Sequence, residues 1–149
     1  MEHSLLTDAL LTLLDQWQLV TTLVLDTRVL SDSHSAALGD RLNSMQGLRH
    51  LSLGYHVSVC LGHLAPTLAR LERFATTSHH DASDVLRHLG PSCTRLWCEA
   101  LAFTDSRVTN SFRTYSRLFS QLTHLQLHHF GLDDTILKLL SKHATNLQC

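Results

Sequence analysis

The clearest pattern along the chain is a run of leucines near its C-terminus. Within 122–134, leucine recurs as Leu-x-x-Leu-x-Leu, and Leu132 follows after four more residues. Because residues two apart on a strand share a face, Leu125 and Leu127 point the same way. The pattern predicts a short strand with an apolar inner face, a turn in which Leu132 again points inward, and a helix from Asp133 to His143.

The same pattern recurs upstream, where it marks earlier repeats. The repeats begin at residues 20, 48, 71, 93, 122 and 147, so that successive starts are 28, 23, 22, 29 and 25 residues apart. Helical patterns lie between them, at 34–42 (capped by Ser31 or Ser33), at 82–89, and after Asn110, which we predict to be a helix cap. One unit cannot bury its apolar face alone, so the units are predicted to stack into one α/β array.

A separate amphipathic helix is predicted before the first repeat, from Ser4 to Trp17. Its apolar residues recur at helical spacing and are Leu6, Leu10, Leu13, Leu14 and Trp17. An array of repeats exposes its core at each end unless an additional element covers it. We therefore predict that residues 1–19 form an N-terminal capping helix. The alternative is that this helix is the remnant of a longer N-terminal domain.

The motif and its spacing resemble the leucine-rich repeats, and more closely the ribonuclease-inhibitor-like repeats of F-box and related proteins. The resemblance covers residues 20–149; it is closest in the repeats that begin at 48 and 122, and weakest in the third, where Thr76 replaces an aliphatic residue. It implies a curved solenoid of about five repeats, the last incomplete. Short parallel strands would line its concave face and irregular helices its convex face.

The sequence departs from that family at the turn after each strand. The family usually places Asn or Cys three residues after the last strand leucine, where the side chain satisfies backbone groups. The equivalent positions here are Arg28, His56, His79, Leu101 and Phe130. The turns are therefore expected to be irregular or to be satisfied by other side chains.

Composition excludes several function classes. The formal net charge is −1 and the pI is near 6.9, so no strong positive field attracts nucleic acid. The chain has 12 histidines, and protonation of all of them would raise the formal charge from −1 to +11. Because the ordinary pKa of histidine is roughly 6.5, acidification would change the surface. We interpret these histidines mainly as drift at exposed positions.

The cysteines and the N-terminus indicate an intracellular protein. The four cysteines form no Cys-x-x-Cys pair, which argues against a disulfide framework. Glu2 stands where a signal peptide would carry basic residues, and Asp8 and Asp15 flank the short apolar run. No stretch approaches the ~20 apolar residues of a membrane span. We predict a cytoplasmic location, with the nucleus as the alternative, and no membrane partner.

Catalytic motifs are absent from the sequence. It contains no Gly-x-Ser-x-Gly elbow, Walker-type loop or dinucleotide-binding glycine motif, so we predict no enzymatic activity and no cofactor. The acidic pair at Asp133 is interpreted as a helix start. A metal-binding function is the less favoured alternative; its candidate ligands are His79, His80, Asp81, His124, His128 and His129. Cys93 and Cys98 are predicted to pack in the core.

The outward strand residues are the better candidate site. Trp97 lies between the inward Leu96 and Cys98, so strand alternation predicts that it faces outward. The alternative is that it packs on a neighbouring loop, or that the register is off by one. Because Trp and Arg are enriched at protein interfaces, we predict a protein-binding concave face. Its residues are His50, Arg73, Arg95, Trp97, Glu99, His124, Gln126 and His128.

The resemblance implies a non-catalytic module for protein–protein interaction with a partner of unknown identity. Its more specific form is the substrate-recognition part of a ubiquitin-ligase adaptor. A structural alternative is a repeat fragment that self-associates through its open C-terminal end near Leu147. Fold alone does not choose between these functions.

Overall fold

Five strands alternate with helices along the chain. The computed structural model describes residues 2–26, 32–55, 57, 59–77, 82–103, 106–130 and 133–148. The strands are β1 (Thr22–Leu25), β2 (His50–Leu53), β3 (Arg73–Thr76), β4 (Arg95–Phe103) and β5 (His124–Phe130). The helices are α1 (Glu2–Gln16), α2 (Asp32–Ser44), α3 (Ala65–Leu68), α4 (Ala82–His88), α5 (Ser106–Thr114), α6 (Ser116–Phe119) and α7 (Asp134–His143), and a 3₁₀ turn (Leu61–Leu64) precedes α3.

The strands form one parallel sheet in the order β1-β2-β3-β4-β5. Neighbouring strands pair at equivalent positions of the predicted repeats, so that Leu51 lies opposite Phe74 and Phe74 lies opposite Leu96. This register is the one predicted from the leucine spacing. The predicted fold class, an α/β solenoid of the leucine-rich-repeat type, is confirmed.

Backbone hydrogen bonds continue this register in front of the strands. The Glu72 amide donates to the Arg49 carbonyl at 2.8 Å, and the Thr123 amide donates to the Thr94 carbonyl at 2.8 Å. The Gln148 amide donates to the Thr123 carbonyl at 2.8 Å in the same way. Each donor is the second residue of a repeat, so the start predicted at Leu147 is in register with the others.

The core lies between the sheet and the helices. The first residue of four repeats has no exposed surface; these are Leu48, Leu71, Cys93 and Leu122. The strand positions facing the helices are also buried, and Thr76 is buried in the aliphatic position it occupies. Leu125 and Leu127 are only half-buried, because β5 is the last strand of the sheet.

Helix boundaries agree with the predictions except at Asn110. Helix α2 begins two residues before the predicted 34–42, and α4 matches 82–89 within a residue. Asp133 caps α7, since its Oδ1 accepts from the Ile136 amide at 2.8 Å. Asn110 lies inside α5, so the prediction that it caps a helix is wrong. No Gly or Pro in 106–109 stops the helix from starting earlier. Ser31, one of the caps suggested for α2, lies outside the described residues, as does the side chain of Ser33.

Helix α1 packs beside α2 through only part of its apolar residues. Leu14 is fully buried and Leu11 nearly so, whereas Leu13 is 44% exposed and Trp17 is 39% exposed. Of the apolar residues that recur at helical spacing in this helix, Leu13 and Trp17 therefore lie outside the core; the side chain of Leu6 lies outside the described residues. Because α1 packs against α2, the face that carries Leu11 and Leu14 is buried. The capping role of residues 1–19 stays a prediction.

The turns without Asn or Cys fall into two groups. Leu101 and Phe130 lie within β4 and β5, which run through the turn position, so their backbone groups belong to the sheet. The pairing of these strands shifts register between Glu99 and Phe103. The other three turn positions, Arg28, His56 and His79, lie outside the described residues, as does Leu132, which was predicted to point inward.

Two polar side chains satisfy backbone groups on the helical side instead. Asn43 donates through Nδ2 to the His63 carbonyl at 2.8 Å, and its Oδ1 accepts from the Thr67 hydroxyl at 2.7 Å. Arg70 Nη2 donates to three carbonyls at the end of α2, those of Leu42, Asn43 and Met45. Burial, and to a lesser degree the charge on Arg49, lowers the pKa of Arg70. A cation at a helix C-terminus also compensates the helix dipole.

Replacement of Gly90 by alanine should destabilise the chain. A Cβ at Gly90 would lie 2.6 Å from the carbonyl carbon of Ala69, so backbone must move to admit it. We expect the free energy of unfolding to fall by about 1–3 kcal/mol, as for other overpacked sites. The free energy of unfolding is measured by urea denaturation, with far-UV circular dichroism as the signal.

Gly62→Ala is the matched control. A Cβ there meets only Cys60 Sγ at 3.6 Å, an ordinary contact. We expect its stability to stay within about 1 kcal/mol of the wild type. Equal urea midpoints for Gly90→Ala and Gly62→Ala would show that the backbone at Ala69 lies further from Gly90 than described.

Candidate functional site

Alternate strand residues point away from the helices and form an open surface, here called the concave face. A depression of about 410 Å³ lies over it and spans all five strands. Inward residues such as Leu23, Leu51 and Leu96 form its floor. The outward residues that surround it lie in two rows, because equivalent residues of neighbouring strands are paired in register.

The first row is basic. It begins at Thr22 on β1 and continues across the strands through four residues, here called the basic row: His50, Arg73, Arg95 and His124. All four line the depression, and Arg73, Arg95 and His124 are exposed. Because each strand contributes its first residue, the row crosses the sheet at right angles to the strands.

Hydroxyl groups position the two histidines at the ends of the basic row. His50 Nδ1 lies 3.0 Å from Thr22 Oγ1, and His124 Nδ1 lies 3.0 Å from Thr123 Oγ1. His50 Nε2 also lies 3.9 Å from a carboxylate oxygen of Glu72, an ion pair only when the imidazole is protonated. Both rings are therefore held by contacts from neighbouring residues.

The two arginines at the centre of the basic row are directly opposite each other. Arg73 on β3 pairs in register with Arg95 on β4. The ion pairs found in the described part of the chain are Arg41–Asp15, Arg49–Glu72 and His50–Glu72. Within that part, neither Arg73 nor Arg95 has a carboxylate partner, and the two residues occupy paired positions at the border of the depression.

The second row contains the tryptophan. Trp97 is 39% exposed between the buried Leu96 and Cys98, with Ala75 beside it on β3 and Gln126 on β5. Its indole also meets the edge of the His128 ring, with centroids 6.1 Å apart and planes at 62°. Alternation places it on the outer face, and the contact with His128 restricts its rotation.

Two of the predicted site residues lie beyond the depression. Glu99 and His128 are opposite each other one step further along β4 and β5. His128 Nε2 lies 2.6 Å from Gln126 Nε2, which connects it to the second row. The other six predicted residues line the depression together.

Sequence reasoning missed Gln148 as a lining residue. Gln148 borders the depression beside His124, although it follows the last complete repeat. The signal was present, since Leu147 had been identified as a repeat start and the residue after it must continue the register. Thr22 and Val24 also line the depression; both lie on the outward side of β1.

The predicted metal ligands and the cysteines are described only in part. Within the described ranges, no group of three or more His, Cys, Asp or Glu side chains is placed to hold a metal ion. His79, His80 and Asp81 lie outside those ranges, as does the side chain of His129. Burial raises the pKa of Cys93 to about 11 and that of Cys98 still further. Both thiols are free and buried, as predicted for core residues.

Comparisons with known proteins identify the fold. No protein-family model matches the sequence, and no curated protein matches it. Among solved structures, the tropomodulin C-terminal domain from Caenorhabditis elegans is similar, with a TM-score of 0.68 and 10% identity. The match covers 94% of this chain and 92% of that one. At this identity the likeness is one of fold alone, and it agrees with a leucine-rich-repeat type of solenoid.

The helices add one further observation. In the described part of the chain, none has the length and apolar character that crossing a bilayer requires.

The cysteines should differ sharply in reactivity. The thiolate is the nucleophile, so a raised pKa leaves little of it near neutral pH. We expect a short pulse of N-ethylmaleimide at pH 7.5 to label the exposed Cys60 and to spare Cys93 and Cys98. Peptide mass spectrometry reads the labels, and the control is a urea-unfolded sample, in which all four cysteines of the chain should react. Labelling of Cys98 at the rate of Cys60 would contradict its burial.

Proposed function

We propose that this chain is a protein-interaction module that binds a protein partner on its concave face. The observation that carries the proposal is Trp97, half-exposed on the outer side of the interior strand β4 and bordered by Arg73 and Arg95. Trp and Arg dominate the binding energy of many protein interfaces. The depression beside them provides a surface that a partner side chain can fill.

The architecture supports recognition over the whole sheet. The helices cover one face, and the other is left to solvent across five strands. Its outward residues are constrained by strand pairing, not by loops, so they change little on binding. Rigid presentation lowers the entropy cost of association.

The proposal includes no catalytic step and no cofactor. It favours a protein over nucleic acid, because the net charge is −1 and Glu72 and Glu99 lie near the basic row. A continuous phosphate backbone would meet those carboxylates as well as the arginines. A cytoplasmic location, with the nucleus as the alternative, belongs to the same proposal.

A narrower role is the recognition part of a ubiquitin-ligase adaptor, as the F-box-type resemblance implies. The concave face is suited to substrate recognition, while nothing in the described residues points to ligase subunits. The adaptor role therefore stays a prediction. Co-purification of ubiquitin-ligase subunits with the chain would support it.

Self-association is a second candidate, favoured by the apolar residues at the far end of the sheet. Leu137 is 49% exposed and Leu147 is 38% exposed, and β5 is the last strand of the sheet in the described part of the chain. An exposed strand edge is a common route to pairing between chains. A molar mass that rises with concentration in light scattering would support this use of the edge.

Trp97→Ala should abolish partner binding without unfolding the chain. Truncation of an interface tryptophan typically costs about 2 kcal/mol or more, or roughly a 30-fold loss of affinity. The wild type and the variant serve as baits in a cytosolic extract, and captured proteins are quantified by mass spectrometry. Far-UV circular dichroism of the two chains should be the same.

Trp17→Ala is the matched control. Trp17 is also 39% exposed, but it follows α1 and does not line the depression. We expect it to capture the same proteins as the wild type. Equal capture by Trp97→Ala would remove the concave face as the binding site, and unfolding of Trp97→Ala would mean that the indole acts as core.

A further inference from the structure

The arginine pair and Trp97 together indicate the chemistry of the partner. We propose that the concave face binds an acidic peptide segment, with one Asp or Glu carboxylate held between Arg73 and Arg95 and an apolar side chain packed over Ala75 against Trp97. This inference rests on the proposed function and deepens it.

The first step concerns the electrostatic repulsion between Arg73 and Arg95 when no partner is bound. Neighbouring strands lie about 4.8 Å apart, and two like charges held at such a spacing repel each other. Arg73 and Arg95 occupy such a position, and neither forms an ion pair within the part of the chain that the structure describes. A bound anion would relieve this repulsion.

The second step is the contrast with Arg49, the residue before His50. Arg49 Nε lies 4.0 Å from Glu72, which also faces His50 at 3.9 Å. Glu72 is thus shared between two neighbours on the β2 side of Arg73. Arg49 thus has a carboxylate of the chain beside it. Arg73 and Arg95, at the centre of the basic row, are left for a carboxylate from a partner.

The third step is the choice of carboxylate. A guanidinium binds a carboxylate or a phosphate through two parallel hydrogen bonds. Glu72 at one side of the arginines and Glu99 further along β4 limit the positive region to a small area. A single charged side chain fits that area, whereas a polyanion would extend over the acidic groups. We therefore assign the site to a peptide carboxylate.

The fourth step is the spacing between the two subsites. Trp97 is two residues along β4 from Arg95, which corresponds to about 6.6 Å. Ala75 lies opposite Trp97 on β3, and its small side chain leaves room beside the indole. An acidic and an apolar residue two positions apart in an extended segment have the same separation and share a face.

Selection from a random library tests this directly. A 12-residue peptide library displayed on phage is selected against the immobilised full chain. We expect the enriched peptides to carry Asp or Glu close to an aromatic or large aliphatic residue. A selected peptide, synthesised with fluorescein, then gives affinities by fluorescence anisotropy.

The key variant reverses both charges, Arg73→Glu with Arg95→Glu. We expect it to bind the selected peptide about 10-fold to 100-fold more weakly, the usual effect of losing charged hydrogen bonds. Arg87→Glu with Arg113→Glu is the matched control, since both residues are exposed, neither lines the depression and the net charge is the same. We expect that control to weaken binding less than about 3-fold, as distant surface charges are screened.

Folding is checked before binding is interpreted. Each variant must match the wild type in its far-UV spectrum and thermal midpoint. If the double charge reversal unfolds the chain, Arg73→Gln with Arg95→Gln takes its place, with Arg87→Gln and Arg113→Gln as its control.

The remaining outcomes separate this inference from the proposed function. Enriched peptides without acidic residues that still lose binding to Trp97→Ala would overturn the carboxylate site and leave the concave face as the interface. No enrichment, or peptides that bind Trp97→Ala as tightly as the wild type, would overturn both. More than 10-fold tighter binding of a phosphoserine form of the peptide, or equal binding of a single-stranded oligonucleotide, would assign the arginines to phosphate instead.

Discussion

The in-register stacking of equivalent strand residues is the constraint on which the rest of the structure depends. Leu51, Phe74 and Leu96 lie opposite one another and are buried on the helical face. A slip of one residue would turn every one of them to solvent, so the core determines the register. The same register places Arg73 beside Arg95 on the other face. The packing of apolar side chains on the helical face therefore also fixes the positions of the arginines on the opposite face of the sheet.

Repeats that depart from the family pattern are stabilised by other contacts. The third repeat buries Thr76 where an aliphatic residue is expected, but it also carries Phe74, one of the largest fully buried side chains. Arg70 and Asn43 satisfy backbone groups at the end of α2 and in the following turn. Each repeat contacts mainly its neighbours, so such local compensation is sufficient.

The architecture alone does not assign a function to this chain. A likeness at 10% identity establishes how the chain folds and leaves open what it binds. The properties particular to this chain are the exposed tryptophan on β4 and two arginines at paired positions of β3 and β4. The backbone groups within a parallel sheet are used in pairing between strands, so the chemistry of this face is set by its side chains.

The sequence by itself determined the strands, their register and most of the candidate site. Leucine spacing and the alternation of side chains are local properties, and they were enough to place Arg95 and Trp97 on the outer face. Only the tertiary structure decided which face of α1 is buried and how far β4 and β5 extend. Those features depend on contacts between residues far apart in the chain, and local periodicity carries no information about such contacts.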